Sequence, residues 1–316
     1  MGGSTPVAQN RASAGHKLGQ LVGDWFEKYV AWPLLSDVAK SLDLYPDSRF
    51  NMRSCRPGGK VMWPDLEGNT VDYDVVFELG GTDDKIGEIV AAFETFWRRG
   101  IRHSKDKARD DSGKLGAIRD TYPTARMLCI YAAGDFSKPA KDLVKSRGLE
   151  LFYIPKRDIL EVWEENGVTI DYPDKADETS KAELADLAAK ALRQDTDLLQ
   201  RIADSLWDRL GATEKTRMTD VVRARLSALP RNYTIDVVDF VHLEFASRIA
   251  VQEFIDRGEF LQQVGDTHRE YRYTVEFGDG DVFERSGLSW IELRQLHKNL
   301  GRLVKHVERL SQRALK

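Results

Sequence analysis

The stretch "FETFWRRGIRHSKDKAR", Phe93 to Arg109, sets one acid, Glu94, inside an apolar run and then turns basic. Alternate residues of a strand share a face. On the preceding run "VDYDVVFE", Val71, Tyr73, Val75 and Phe77 share one face, and Asp72, Asp74, Val76 and Glu78 the other. On the run that carries Glu94, Val90, Ala92, Glu94 and Phe96 line up, so Glu94 can stand beside Asp74 if the two strands pair with those faces matched. Two carboxylates in an apolar sheet repel one another and lose hydration, so a positive partner is required. A hard cation such as Mg²⁺, completed by water and a phosphate oxygen, suits that need. Arg98, Arg99, Arg102, Lys105, Lys107 and Arg109 follow against Asp106 alone. A cation cluster beside such a site suits a polyanion, namely a nucleic-acid backbone.

The elements that must position these residues are legible from periodicity. Leu18 to Leu42 carries apolar residues at helical spacing, with Pro33 expected to kink or split the helix. A turn-rich segment with "RPGG" follows, then strands "KVMWPD" and "TVDYDVVFEL" joined by "LEGN", and a third strand "GEIVAAFETFW" after the loop "GGTDDKI". A polar helix from about Ser104, a buried strand "ARMLCIYAAG", a helix ending at Gly148 and a strand "LELFYIP" complete the half. The fold class expected is α/β, a mixed central sheet flanked by helices, with a mainly α-helical C-terminal domain carrying one β-hairpin. The hairpin is "YRYTVEFGDGDVFERSG", around a Gly-Asp-Gly turn. The expected domains are a disordered tail over 1–15, a catalytic domain over 16–172 and a recognition or dimerisation domain over 173–316, with "DYPDKADETSK" as linker.

At these residues the chain resembles the PD-(D/E)XK nuclease superfamily, most like type II restriction endonucleases. Its core is a helix, a three-stranded meander, a helix and a further strand, and an Asp on the second strand and a Glu-x-Lys on the third bind Mg²⁺ and activate water. The resemblance spans roughly Leu18 to Val162. "YDVVF" supplies Asp74 and "FETFW" supplies Glu94 as catalytic metal ligands, but Phe96 stands where the family has Lys. Lysine migration to the following helix occurs within the superfamily, and "HSKDKAR" offers Lys105 and Lys107. Lys107 lies about one turn from the helix start, whereas Lys105 points about 200° away, so Lys107 is the expected catalytic cation. Arg98, Arg99, Arg102 and Lys105 would grip DNA. The resemblance implies a Mg²⁺-dependent endonuclease acting on double-stranded DNA. A literal match through Pro64 and Asp65 to Asp83 and Lys85 is disfavoured, because "GGTDDKIG" reads as a loop. Two other classes stay open: a nucleic-acid-binding module that lost its lysine, and an interaction protein assembling through its C-terminal helix.

Composition bounds these readings. With 316 residues, 41% hydrophobic and 31% charged, the chain can bury a sizeable core and suits two domains. A net charge of −4 confines nucleic-acid contact to local clusters. Cys55 and Cys129 show no disulfide or zinc spacing. With no apolar leader or spanning run, a cytoplasmic protein without membrane partner is expected. Each site residue has a plainer explanation as well. Asp74 and Glu94 could pair with Arg98 or Arg99 at a sheet edge, the basic run could be a solvated helix start, and His103 is more often a surface residue than a catalyst. Glu27 and Asp72 are possible auxiliary acids, with an exposed helix face the simpler reading of Glu27. Leu293, Leu296, Leu300, Leu303, Val307, Leu310 and Ala314 keep a 3,4 spacing, a candidate homodimer seam or a face packed on its own domain. Basic residues fill the other faces of that helix, and Gly211 could mark a helix–turn–helix.

Overall fold

A computed structural model describes residues 13–237, 241–258 and 270–314. Of the expected tail, residues 1–12 lie outside these, and the remainder is helix entry: Ser13 accepts from the His16 amide and caps α1 (Ala14–Trp25). A π-helical turn, Phe26–Ala31, follows and leads into α2 (Trp32–Ser41). The Trp32 amide reaches back to the Glu27 carbonyl, five residues earlier. Pro33 lacks an amide hydrogen and its ring crowds the carbonyl a turn before it, so widening the turn lets the helix continue where it was expected to split.

The central sheet is five-stranded, β1 (Tyr45–Ser48), β4 (Val75–Leu79), β5 (Glu88–Arg98), β6 (Met127–Gly134) and β7 (Glu150–Pro155) in spatial order. The strands β1, β4 and β5 pair antiparallel. The bonds Arg126 N to Val90 O and Asp135 N to Arg98 O advance together, so β6 runs parallel to β5 and the sheet is mixed. Helix α3 (Ser104–Thr121) connects β5 to β6, α4 (Lys138–Ser146) connects β6 to β7, and α5 (Lys156–Glu165) follows. The run expected as one strand, "TVDYDVVFEL", is two: β3 (Thr70–Tyr73) pairs with β2 (Val61–Pro64) in a separate hairpin, and only β4 enters the central sheet. The chain bends between them at Asp74. Helix α3 holds β3 there, since Tyr73 donates to the Lys114 carbonyl and the Lys114 ammonium donates to the Asp72 carbonyl.

The edge strand β1 was not expected, and its "YPDS" is poor strand sequence. Buried charge holds it. Arg53 bridges Asp47 at 2.8 Å and clasps both oxygens of Glu78, while Arg56 takes the other side of Asp47 at 3.0 Å. Arg53 also donates to the carbonyls of Thr82 and Lys85, and Tyr45 donates to Asp83. The "GGTDDKI" segment is therefore an exposed loop between β4 and β5, as expected, and it is pinned from below.

By contacts the chain forms two compact units that interleave along the sequence instead of dividing at 172/173. One comprises 1–33, 95–110 and 130–215, the other 34–94, 111–129 and 216–316. The first unit includes α6 (Glu178–Gln194) and the start of α7 (Leu198–Ser227), which breaks at Gly211, φ 79° and ψ 158°, a conformation open only to glycine. In the second unit the expected hairpin forms as β10 (Tyr271–Phe277) and β11 (Val282–Leu288), but it is half of a four-stranded antiparallel sheet completed by β8 (Pro230–Val237) and β9 (Val241–Phe245). Helix α8 (Arg248–Arg257) and the last helix, α9 (Trp290–Ala314), complete this region. Leu293, Leu296 and Leu300 pack into its core with Tyr233, Ile235 and Tyr273. His297, Leu303, Val304, His306 and Val307 are buried too, so the apolar face is broader than a two-residue seam. From Leu293 to Val307 the heptad positions are buried within the chain, and Leu310 is half-buried.

Removing Arg53 leaves Asp47 and Glu78 buried and facing one another. Arg53→Met should cost about 3–5 kcal/mol in urea denaturation, the scale for breaking a buried pair; a loss under about 1 kcal/mol would contradict the role given to this cluster.

Candidate active site

The site builds outward from Glu94, at 1% exposure, near the middle of β5. The pairs Val75 with Phe93 and Val76 with Ala92 fix the register of β4 on β5, and one further step sets Asp74 opposite Glu94. The half-buried Asp74 sits at the bend between β3 and β4. From the other side comes α3. Ser104, Ala108, Asp111, Ser112, Leu115 and Ile118 are its buried positions, on one face of the helix, so Asp111 faces inward among apolar neighbours. Lys114 follows Asp111 by three residues, on the same side of the helix. Its ammonium meets Glu94 Oε2 at 3.0 Å and the Asp72 carbonyl at 3.3 Å.

Three carboxylates and one ammonium thus converge. Burial, then the charges of Asp74 and Asp111, push Glu94 well above the usual carboxylate range, and Lys114 only partly offsets them. Burial acts to lower Lys114, but Glu94, Asp111 and Asp74 outweigh it and hold the ammonium charged. Glu94 Oε1 is buried and makes no hydrogen bond among the described residues. The cluster reaches solvent at Lys114, with 37% side-chain exposure, and in part at the half-buried Asp74.

The expected residues fall out as follows. Asp74 and Glu94 are brought together. The cation on Glu94 is Lys114, not Lys107, whose ammonium lies 5.7 Å from the Phe96 ring centroid. Arg99 is engaged by Asp171, Asp174 and the Tyr172 carbonyl, and its guanidinium stacks on the Tyr172 ring at 4.0 Å. It is a structural residue in its unit, not a free phosphate grip. Arg98 is half-buried, and Arg102 and Lys105 are exposed. Glu27 is buried, not on an exposed face, and belongs to the other unit from Glu94. Asp72 is half-exposed with Lys60 at 3.5 Å. Asp65 organises its own turn by accepting from the Glu67 and Asn69 amides, and Asp83 and Lys85 are exposed on the loop. Asp111 and Lys114 lie about two to three turns beyond the helix start, outside the basic run that the resemblance points to. A lone Asp within the Ala108–Leu115–Ile118 stripe was the available signal.

The donor set fits the Mg²⁺ that the resemblance implies. Among the described residues no three His, Cys, Asp or Glu form a ready-made cage. Mg²⁺ usually takes one or two carboxylates and leaves its remaining positions to water and phosphate. Asp74 and Glu94, with the buried Oε1 unbonded, offer that pair.

No family model matches the chain, and no curated protein matches it. A crystal structure of a protein of unknown function, AF1548, aligns with 53% of this chain and 99% of its own at 12% identity, with a TM-score of 0.27. A likeness that weak carries no argument about fold or activity.

The raised Glu94 carboxyl has a stability consequence. Folding disfavours its ionised form, so whatever stability it lends is present in acid and is lost as pH rises through its raised folded pKa. Glu94→Gln should match the parent in thermal denaturation at acid pH and exceed it at alkaline pH. Equal or lower stability of the variant at alkaline pH would show that the Lys114 contact outweighs burial and repulsion.

Proposed function

We propose that this chain is a Mg²⁺-dependent endonuclease that hydrolyses phosphodiester bonds of double-stranded DNA, most simply as a type II restriction enzyme. The observation that carries the reading is the 3.0 Å contact of Lys114 with Glu94, on the strand register that sets Asp74 opposite. Asp74 and Glu94 would hold the metal. When bound, Mg²⁺ lowers the pKa of water and neutralises charge on a phosphate. Lys114 keeps its proton, because three acids surround it, and beyond its bonds to Glu94 and the Asp72 carbonyl it has one further N–H with which to orient the attacking water or bind a phosphate oxygen. Asp111 is a positioning residue that holds Lys114 charged. The alternative of a binding module without a catalytic cation rested on Phe96, and Lys114 supplies an ammonium in place of the lysine that Phe96 displaces.

Single-turnover cleavage of duplex DNA at saturating Mg²⁺ tests the assignment. Lys114→Met should slow cutting by at least about a hundredfold with DNA affinity little changed, the scale of one positioned catalytic group. Lys107→Met should cost less than about fivefold. The reverse ranking would move the catalytic role to Lys107, and a parent protein that leaves duplex DNA intact would reject the proposal.

A further inference from the structure

The outer face of α9 is unlike the rest of the second unit. Arg294, Lys298, Arg302, Lys305, Arg309 and Arg313 are all exposed there. At about 100° per residue they fall within an arc of roughly 100°, and at 1.5 Å per residue they extend over about 28 Å. The buried residues Leu293, Leu296, Leu300, Leu303 and Val307 occupy the opposite side. Arg302 is paired with Glu88 and Arg313 with Asp43. Among the described residues, Arg294, Lys298, Lys305 and Arg309 make no ion pair. An open groove of about 700 Å³ runs beside this stripe, walled by Arg302, Lys305, Glu308 and Arg309 on one side and by Lys85 and Glu88 at the β4–β5 loop on the other, so its cations outnumber its acids by four to two. In a chain of net charge −4, six cations share this one helix face.

A straight row of cations about 28 Å long suits a linear polyanion. Duplex DNA presents one phosphate charge per about 1.7 Å of axis, and uncompensated Lys and Arg on a fixed helix bind it by releasing counterions. A lipid surface fits less well. A basic amphipathic helix binds membranes by sinking its apolar face among the acyl chains, and here that face is the core of the domain. We infer that the outer face of α9 is a binding surface for the phosphate backbone of duplex DNA, separate from the Glu94 cluster and carried by the same compact unit. The inference rests on the nuclease reading for its substrate and adds the surface that holds it.

Fluorescence anisotropy of a labelled duplex, in EDTA so that nothing is cut, tests it across a salt series. Replacing Arg294, Lys298, Lys305 and Arg309 together by Gln should make the slope of log K against log salt shallower by about 3–4 and weaken binding at least about tenfold near 0.1 M salt. Circular dichroism checks the fold. Should the quadruple variant misfold, the doubles R294Q/K298Q and K305Q/R309Q are each expected to lose about 2 from the slope. An unchanged slope overturns the inference. So does a parent that binds phosphatidylserine vesicles and not duplex. A parent that cuts DNA while the variant binds normally defeats the α9 surface alone, whereas variant-sensitive binding without any cutting by the parent defeats the nuclease reading and leaves the surface standing.

Discussion

The site depends on one electrostatic constraint: the Glu94 carboxylate lies in the interior of a sheet, with Asp74 and Asp111 near enough to raise its pKa. An uncompensated cluster of that kind destabilises a fold by several kcal/mol. Lys114 offsets part of the cost through one contact and leaves a buried oxygen of Glu94 unbonded. Stability alone gives no reason to retain such an arrangement, because a well-packed apolar substitute would do at least as well. The residual strain is what a divalent cation would relieve.

The surrounding structure serves to hold four side chains in register. On one side, β4 is fixed by β1 and by the Asp47, Arg53, Glu78 and Arg56 cluster, so the position of Asp74 is set by the same strand that the buried charges anchor. On the other, α3 is tied at both faces. Tyr73 reaches the Lys114 carbonyl, and Arg285 of β11 donates to the Arg119 and Asp120 carbonyls where α3 ends. Arg126, just before β6, stacks on Phe277 at 3.3 Å and pairs with Asp279 and Asp281 of the same hairpin, which Arg225 also engages. The C-terminal sheet thereby fixes the helix that carries Asp111 and Lys114. The same unit also carries α9, whose basic face turns outward while its apolar face closes the core.

Much of this was legible in the residues. Strand alternation alone brought Asp74 to Glu94, because register and face follow from a period of two. The meander and the strand–helix–strand crossovers were readable from turn residues and apolar runs, and the hairpin from Gly-Asp-Gly. What escaped was set at long range. Strand β1 has a sequence unfit for a strand and depends on two arginines that follow it by several residues. At the break before β4 the chain is held by α3, whose Lys114 donates to the Asp72 carbonyl from 42 residues downstream. Lys114 lies twenty residues beyond Glu94, and its role follows from how α3 rotates onto the sheet, which one helical turn read from Ser104 does not reveal. The α9 repeat was visible, but whether its apolar seam faces a second chain or its own sheet is decided by β8 and β9, which were not foreseen.

Calorimetric titration with Mg²⁺, run in two buffers of different ionisation enthalpy at mildly acidic and at neutral pH, tests the central claim without relying on turnover. If Glu94 is a ligand whose proton burial and repulsion retain, metal binding must expel that proton where the free carboxyl is still protonated. The parent is expected to show a buffer-dependent heat wherever the free carboxyl is still protonated, and Glu94→Gln to lose both the heat and its buffer dependence. Equal binding heats for parent and variant, with no proton released, would place the metal elsewhere and contradict the site.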